Sequence, residues 1–315
     1  MISNFLFAAV KAGTPLLFGT VGEIYNEKAG NLNLGVEGMM FMGAFSGFYA
    51  GYKSNSLLIA ILAAMFAGML GALIYAFFTV TLKTNQNVTG LTLTIFGSGC
   101  AQFFGLQTLA AKGGTAALPD GMKEQLSEIE IPLLSKIPYI GKVFFSHNIF
   151  IYLGIAVAIL SYLYMKRTKA GLVLRAVGEN PATADSAGIN VNRIKYIHIL
   201  IGGAVCGIGG AYLSLINGGG TWNNTCVSGQ GWIAVALVIF AAWNPCRALI
   251  GSLVFGGFSI LQFYVNKGII NIPNAFYTML PFLVTILVLI ITSVRNSQKH
   301  SQPAGCGINY FREER

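Results

Sequence analysis

The sequence predicts an all-α, polytopic membrane protein, a helical bundle with about nine transmembrane spans and a range of eight to ten. The chain of 315 residues is 54% hydrophobic and 10% charged, with a mean hydropathy of +0.65. Soluble domains carry about 25% charged residues, so a soluble chain of this size could not cover its surface with so few charges. The 39 glycines also fit the close packing of helices in a bilayer.

Apolar runs place the spans along the chain. The predicted spans cover residues 4–21, 39–52, 57–82, 88–109, 148–165, 194–216, 233–242, 249–265 and 275–294. The first run lacks the charged start and the cleavage site of a signal peptide, so we interpret it as a retained span. The run 233–242 is short for a crossing of about 20 residues. We therefore expect one transmembrane domain over 1–294, followed by a basic, disordered tail over 295–315.

The positive charges orient this bundle. The formal net charge is +9, but the basic residues lie in loops between apolar runs, which favours membrane orientation over nucleic-acid binding. They concentrate in the loop 166–195 and in the tail. With these segments inside, the N-terminus and the long polar loop 110–147 lie outside the cell and the C-terminus is cytoplasmic. The predicted location is the inner (cytoplasmic) membrane, in contact with lipid.

The loop 166–195 holds a short helix between two apolar spans. Asn180 and Pro181 are typical of an N-cap and a first helical residue, and Gly188 of a residue just past a helix end. The sequence thus predicts a helix over 181–187, and predicts that Asn192 caps the next span, which begins near Ile194.

That helix is too short to be stable alone. Its small side chains, Ala182, Ala184 and Ala187, would allow close docking, so we expect its alanine face to lie against a partner. An ordinary solvated loop is the alternative.

The stretch LRAVGENPATADSAGINVNRIK resembles the cytoplasmic coupling segment of permeases in ATP-binding-cassette importers, in the family that carries branched-chain amino acids, simple sugars and nucleosides. The positions that follow the family pattern are Arg175, Gly178, Asn180, Pro181, Ala184, Gly188, Ile189 and Lys195. In that family the segment docks into a groove of the ATPase subunit. The resemblance therefore implies an ATPase-coupling surface made by Arg175, Gly178, Glu179, Asn180, Pro181, Ala184, Ala187 and Gly188.

A polar stretch interrupts the apolar first half at residues 22–38 and contains Asn31, Asn33 and Glu37. Irregular backbone at membrane depth is tolerated only where it is buried in protein or lines a cavity. Its sequence NEKAGNLNLGVEGMM resembles the signature of the nucleoside-type branch of the family, whereas sugar permeases have a related Gly/Asp-rich stretch at this place. A plain loop is the alternative.

The second half has a corresponding break at residues 222–230. Paired breaks in two halves of a transporter point to a substrate path between them, although the internal similarity is weak and leaves open whether the chain has two related halves with broken helices. The predicted path residues are Asn31, Asn33, Glu37, Trp222, Asn223, Asn224 and Gln230. Glu37 is the strongest candidate because an acidic residue in a span is functional by default, with helix capping as the alternative. Trp222 could stack on a flat base or anchor the chain at the interface.

No catalytic constellation is visible. The three histidines have no carboxylate or nucleophile at a meaningful spacing, the five cysteines form no CxxC pair, and no Walker A motif occurs. We therefore expect no enzymatic activity, no metal and no cofactor, with ATP hydrolysed by a separate subunit.

The predicted function is that of the permease subunit of an ATP-driven importer for a nucleoside or a related small polar solute. The resemblance implies three partners: the ATPase, a second permease that is identical or homologous, and an extracytoplasmic solute-binding protein. The alternatives are the same importer class carrying a simple sugar, and a secondary transporter driven by an ion gradient, which would need several paired charges inside the membrane.

Overall fold

The computed structural model describes residues 2–130, 140–264, 273–295 and 302–312. Its helices are α1 Ile2–Lys28, α2 Val36–Ser54, α3 Leu57–Ala76, α4 Gln86–Ala110, α5 Asp120–Gln125, α6 Ile140–Phe145, α7 Ile149–Arg167, α8 Lys169–Glu179, α9 Pro181–Ser186, α10 Val191–Tyr212, α11 Gln230–Phe240, α12 Pro245–Tyr264 and α13 Asn274–Arg295. Two π-helical turns, Phe77–Thr81 and Leu213–Asn217, extend α3 and α10. A short antiparallel pair, β1 Ile129–Glu130 and β2 Ser146–His147, sets Ile129 opposite His147.

A helix overlaps each of the predicted apolar runs. Within the described residues, five helical stretches are long and apolar enough to cross a membrane: Ile2–Lys28, Leu57–Thr81, Ile149–Arg167, Val191–Asn217 and Pro245–Tyr264. The all-α membrane bundle is therefore confirmed, whereas the total of nine spans stays a prediction. The helix α11 has only 11 residues, in line with the short run at that place.

The core of the bundle is α10, which packs against α1, α2 and α3. Glycines allow the contact. A Cβ on Gly43 of α2 would lie 2.4 Å from the Cα of Gly207 on α10, and a Cβ on Gly68 of α3 would lie 2.1 Å from the carbonyl oxygen of Gly203. Because no side chain fits at these distances, the backbones meet directly, as expected for helices packed through small residues.

The structure corrects two predicted boundaries and adds one helix. The helix α1 does not end at residue 21 but continues to Lys28, because its polar residues Glu23, Asn26 and Glu27 are buried within the bundle rather than solvated. The cap of α10 is Asn190, whose side-chain oxygen accepts from the N–H of Arg193 at 3.0 Å, and not Asn192. The loop 166–195 also holds α8, which the sequence did not predict.

The described loops lie near one or the other end of α1, which is about 40 Å long. Near its start, the Lys11 Nζ lies 2.6 Å from the Glu128 Oε1, and Phe7 stacks on His147. We call this the outer-loop end, after the location predicted for the loop 110–147. Near its finish, Lys28 lies under α8, where a Cβ on Gly178 would be 2.2 Å from the Lys28 carbonyl oxygen. We call this the coupling end.

The tail is not disordered where the structure describes it. Residues 302–312 lie at the coupling end, where the Gly305 N–H donates to the Gly178 carbonyl oxygen at 2.9 Å. The expectation of a disordered tail is therefore wrong for these residues, because their backbone and side chains find hydrogen-bond partners on α8, α9 and the start of α4. Residues 296–301 and 313–315, which the same expectation covered, lie outside the described residues.

Candidate translocation and coupling sites

The first polar break is tied to α1 by Asn33. Asn33 is fully buried, and its backbone N–H donates to the Glu23 Oε1 at 2.9 Å. Its side-chain oxygen accepts from the N–H of Gly35 at 2.8 Å, which folds the chain into the start of α2. The other carboxylate oxygen of Glu23 accepts from the Asn26 Nδ2 at 2.7 Å. The irregular backbone is therefore satisfied inside the protein, as burial requires.

Asn31 differs from Asn33 in its hydrogen bonding. It is 1% exposed, yet neither polar atom of its side chain has a hydrogen-bond partner among the described residues. The nearby hydroxyl of Tyr75 donates instead to the carbonyl oxygen of Leu32, at 2.7 Å. An unpaired buried polar group costs about 1–3 kcal/mol, so the Asn31 amide is a place where a polar solute or water would gain hydrogen bonds.

Glu37 joins the two predicted breaks. It lies in the first turn of α2 and is buried, and its two carboxylate oxygens accept from the N–H groups of Gly229 and Gly231, each at 2.6 Å. These donors lie at the start of α11. The Glu37 carboxylate therefore caps α11 and not α2, the helix to which Glu37 belongs. The negative charge is favourable at this positive end of α11. The approach is close, because a Cβ on Gly231 would lie 2.5 Å from the Cα of Glu37.

Trp222 lies beside α2, nearer to the outer-loop end than Glu37. Its ring packs against Phe45 and Phe48, with centroids 5.4 and 5.5 Å away, and its Nε1 donates to the Asn224 Oδ1 at 2.7 Å. Its backbone N–H donates to Ala116 of the outer loop at 2.9 Å. In this conformation the ring is 6% exposed and occupied by protein contacts, so it offers no open face to a base.

The remaining predicted path residues are Asn223 and Gln230. The Asn223 Oδ1 accepts from the N–H of Thr225 at 2.9 Å, and the Gln230 Oε1 is buried with no partner among the described residues. Phe45, beneath Trp222, is about 12 Å along α2 from Glu37. The structure therefore arranges the predicted residues along α2, with Asn31 and Asn33 at the coupling end, Glu37 and Gln230 in between and Trp222 with Asn224 beyond, rather than in one pocket.

The short helix of the coupling segment matches its prediction. The helix α9 spans Pro181–Ser186, and the Asn180 Oδ1 accepts from the N–H of Thr183 at 3.0 Å. Gly188 has a φ of +82° and the N–H of Ile189 donates to the Ala184 carbonyl oxygen at 3.1 Å, which is the pattern of a Schellman C-cap. The caps that the sequence indicated are thus the caps that bound this helix.

The predicted alanine face is divided in the structure, because Ala184 lies inward and Ala187 lies outward. Ala184 is 3% exposed and packs against Val177 and Val191 of the same chain. The outward side chains are those of Thr183, Ser186 and Ala187. The expectation that Ala184 lies against a partner is therefore wrong, because this apolar residue fills the gap between α9 and its own neighbours.

The other predicted coupling residues divide between an inward and an outward position. Gly178 is buried over Lys28, since only a glycine fits there, and Pro181 is half-buried. Arg175, Glu179, Asn180 and Gly188 are exposed, together with Ala187.

Comparison with known proteins gives the family. The model of the family described as branched-chain amino acid transport system, permease component, matches residues 5–289. The chain belongs to this family.

Three relatives show how similar this permease is to named proteins. It is 35% identical over 312 residues to the nucleoside ABC transporter permease protein NupC of Lactococcus lactis, covering 96% of this chain and 94% of the relative. It is 33% identical to the guanosine ABC transporter permease protein NupQ of Bacillus subtilis, covering 92% of each. It is 36% identical to the provisionally named glucose ABC transporter permease protein TsgC13 of Haloferax volcanii, covering 82% of this chain and 77% of the relative.

Sequence reasoning missed a cleft in this permease at the outer-loop end. A space of about 440 Å³ lies between α2 and α4, lined by the rings of Phe45, Tyr49, Tyr52 and Phe104 and by polar side chains that include Gln107. Lys112 reaches over the ring of Tyr52, with its Nζ 5.5 Å from the centroid. The signal was present, because Phe45, Tyr49 and Tyr52 recur at helical spacing on one face of α2.

The second missed feature is the described part of the tail. The hydroxyl of Tyr310 donates to the Asp185 Oδ2 at 2.7 Å, and the Asn309 Nδ2 donates to the carbonyl oxygen of Lys83 at 2.6 Å. Burial raises the pKa of the Cys306 thiol above its ordinary value, so this thiol remains neutral in the interior of the contact. A polar composition at the end of a chain favours disorder, and nothing local in the sequence indicated these partners.

Proposed function

We propose that the chain is the membrane-spanning permease subunit of an ATP-driven importer that translocates a nucleoside or a related small polar solute. The observation that carries this proposal is the near full-length similarity to two permeases named for nucleosides and guanosine. The stretch NEKAGNLNLGVEGMM, which resembles the nucleoside-type signature, supports the same substrate class.

The route that we propose runs along α2. A solute released at the outer-loop end would first meet the aromatic cleft, where flat bases stack favourably on rings. It would then pass Trp222 and Glu37, and reach the unpaired amide of Asn31 at the coupling end. In the described conformation the hydrogen bonds of Glu37 hold α2 against α11, so we infer that this contact opens during transport.

The proposed partners meet the two ends of the bundle. An ATPase would dock on the outward face of the coupling segment, at Thr183, Ala187 and Gly188, and would carry out the ATP hydrolysis for which this chain has no motif. A solute-binding protein would deliver nucleoside at the outer-loop end, and a second permease, identical or homologous, would complete the path. We further propose about nine crossings of the inner membrane, with the N-terminus and the loop 110–147 outside and the C-terminus in the cytoplasm.

Uptake of labelled solutes tests the substrate class. Cells without their own nucleoside uptake would express the permease with its ATPase, second permease and binding protein, and would be offered uridine, guanosine, ribose or glucose. We expect nucleosides to accumulate and to compete with one another. Accumulation of glucose without nucleosides would contradict the nucleoside proposal and favour the sugar alternative, for which the relative at 36% identity is the supporting observation.

The same cells test the energy source. Replacing the phosphate-binding lysine of the partner ATPase should abolish uptake, because a P-loop without it cannot hold the ATP phosphates. Uptake that survives this change and stops when the ion gradient is collapsed would instead favour a secondary transporter.

A further inference from the structure

Residues 302–312, which we call the tail strap, hold the coupling segment from one side. The backbone N–H of Ala304 donates to the Glu179 Oε2 at 3.1 Å, beside the Gly305–Gly178 backbone bond. Farther along, the hydroxyl of Tyr310 donates to Asp185 of α9 at 2.7 Å, and the ring of Tyr310 packs against the apolar group around Ala184. The Arg312 Nε also lies 3.3 Å from Asp185, but its side chain is 76% exposed, so water weakens that ion pair.

The other side of the tail strap holds the start of α4. The Asn309 Nδ2 donates to the carbonyl oxygens of Lys83 and Thr84, at 2.6 and 3.0 Å. The Asn309 Oδ1 accepts from the Gln86 Nε2 at 3.0 Å. The amide of Asn309 therefore uses both its donor and its acceptor on the turn between α3 and α4.

Gln86 carries this connection into the first polar break. It is 3% exposed, and its Oε1 accepts from the backbone N–H of Leu32 at 2.8 Å while its Nε2 donates to Asn309. The next residue of the break is Asn33, whose N–H is held by Glu23. Three hydrogen bonds, together with the peptide bond between Asn309 and Tyr310, thus connect α9 through Gln86 to the backbone at Leu32.

We propose that Asn309 and Tyr310 are positioning residues that couple the short helix α9 to the polar break at Leu32, so that a movement of α9 changes the break. The proposal rests on the proposed function, because it assumes that an ATPase moves α9. Neither residue would touch solute or ATP. Their role would be to match the position of the break to the position of α9. A tail strap that only stabilised the fold would not need to transmit such a movement.

The test compares Tyr310→Phe and Asn309→Leu with the wild type in proteoliposomes that contain the whole importer and its binding protein. Tyr310→Phe keeps the ring and removes the hydroxyl, and Asn309→Leu keeps the branched shape of the side chain and removes the amide. We expect ATP hydrolysis and complex yield to stay near wild type while the nucleoside moved per ATP falls at least about fivefold, the low end of typical coupling between linked sites. Asn87→Leu is the matched control, since Asn87 is exposed in the first turn of α4 beside Gln86.

A second measurement does not depend on transport. Amide hydrogen exchange of the permease should show faster exchange at residues 29–35 in Tyr310→Phe, although Tyr310 does not contact them directly, and no change in Asn87→Leu. Unchanged transport per ATP together with unchanged exchange in both strap variants would overturn the proposal. A parallel loss of complex yield and ATP hydrolysis would also overturn it, because it would show that the tail strap only supports the fold. A wild-type complex that shows no ATP-dependent transport would instead count against the proposed function, and the exchange result would still decide whether the strap acts on the break.

Discussion

The first polar break and the coupling segment both contain several Gly and Asn residues, yet they are built in different ways. In the coupling segment the decisive bonds are local, since Asn180 and Asn190 each cap a helix through an N–H three residues away. In the break, local bonds such as that of Asn33 with Gly35 are joined by a distant one, since Glu37 accepts from an N–H 192 residues later in the chain. The comparison teaches that polar residues between helices are interpretable from sequence only when their partners are near in the sequence.

The largest effect is expected from a substitution that removes the distant hydrogen bonds of the first polar break. Replacing Glu37 by Leu removes the acceptor of two charge-assisted hydrogen bonds, each worth roughly 1.5–3 kcal/mol of the free energy of unfolding. We expect a clear loss of thermal stability in detergent and loss of uptake. The matched control is Glu128→Leu, which removes an exposed ion pair with Lys11 worth about 0–1 kcal/mol. Equal stability of the two variants would show that the Glu37 contact does not hold the breaks together.

The next effect separates the two faces of the coupling helix. Ala184→Arg inserts a long charged side chain among Val177 and Val191, where overpacking costs roughly 1–3 kcal/mol and the unpaired charge adds to it. It should lower the yield of folded permease. Ala187→Arg places the same side chain on the exposed face and should fold normally but lose the ATPase on copurification. A stable Ala184→Arg permease that loses only its ATPase would restore the original expectation for the alanine face.

A smaller effect concerns the path itself. Asn33→Leu removes the acceptor of the Gly35 N–H, a bond worth roughly 0.5–1.5 kcal/mol, and should slow uptake while the complex still assembles. Trp222→Ala opens the space over Phe45 and Phe48 and should also slow uptake. Initial rates with labelled nucleoside measure both. Normal rates in the two variants would place the path elsewhere than along α2.

The smallest perturbation tests the ends of the bundle without changing stability. Ser127 and Thr183 are both exposed, the first in the outer loop and the second on α9. In a cysteine-free background, Ser127→Cys should react with an impermeant thiol reagent in intact cells, and Thr183→Cys only after permeabilisation. The reverse labelling would invert the proposed orientation.

The contrast between local and distant partners also explains which features were predictable. Periodicity and composition were sufficient for the long apolar helices, though not for α8, and the Asn180 and Gly188 signals were sufficient for α9, because these depend on neighbours in the sequence. The continuation of α1 through Glu23 and Glu27 was not predictable, since these residues stay helical only where other elements bury them and donate hydrogen bonds to their carboxylates. The same holds for the tail strap, whose partners lie on α8, α9 and α4.

The position of the tail strap has a consequence for biosynthesis. Translation proceeds from the N-terminus, so α1 to α13 have left the ribosome before Ala304 meets Glu179, 125 residues earlier in the chain. The contact that fastens the coupling segment therefore forms only after α13 has been synthesised. A chain terminated between α13 and Ala304 would contain all its described helices yet lack this fastening, so the contact tells whatever binds at α9 that these helices have been made.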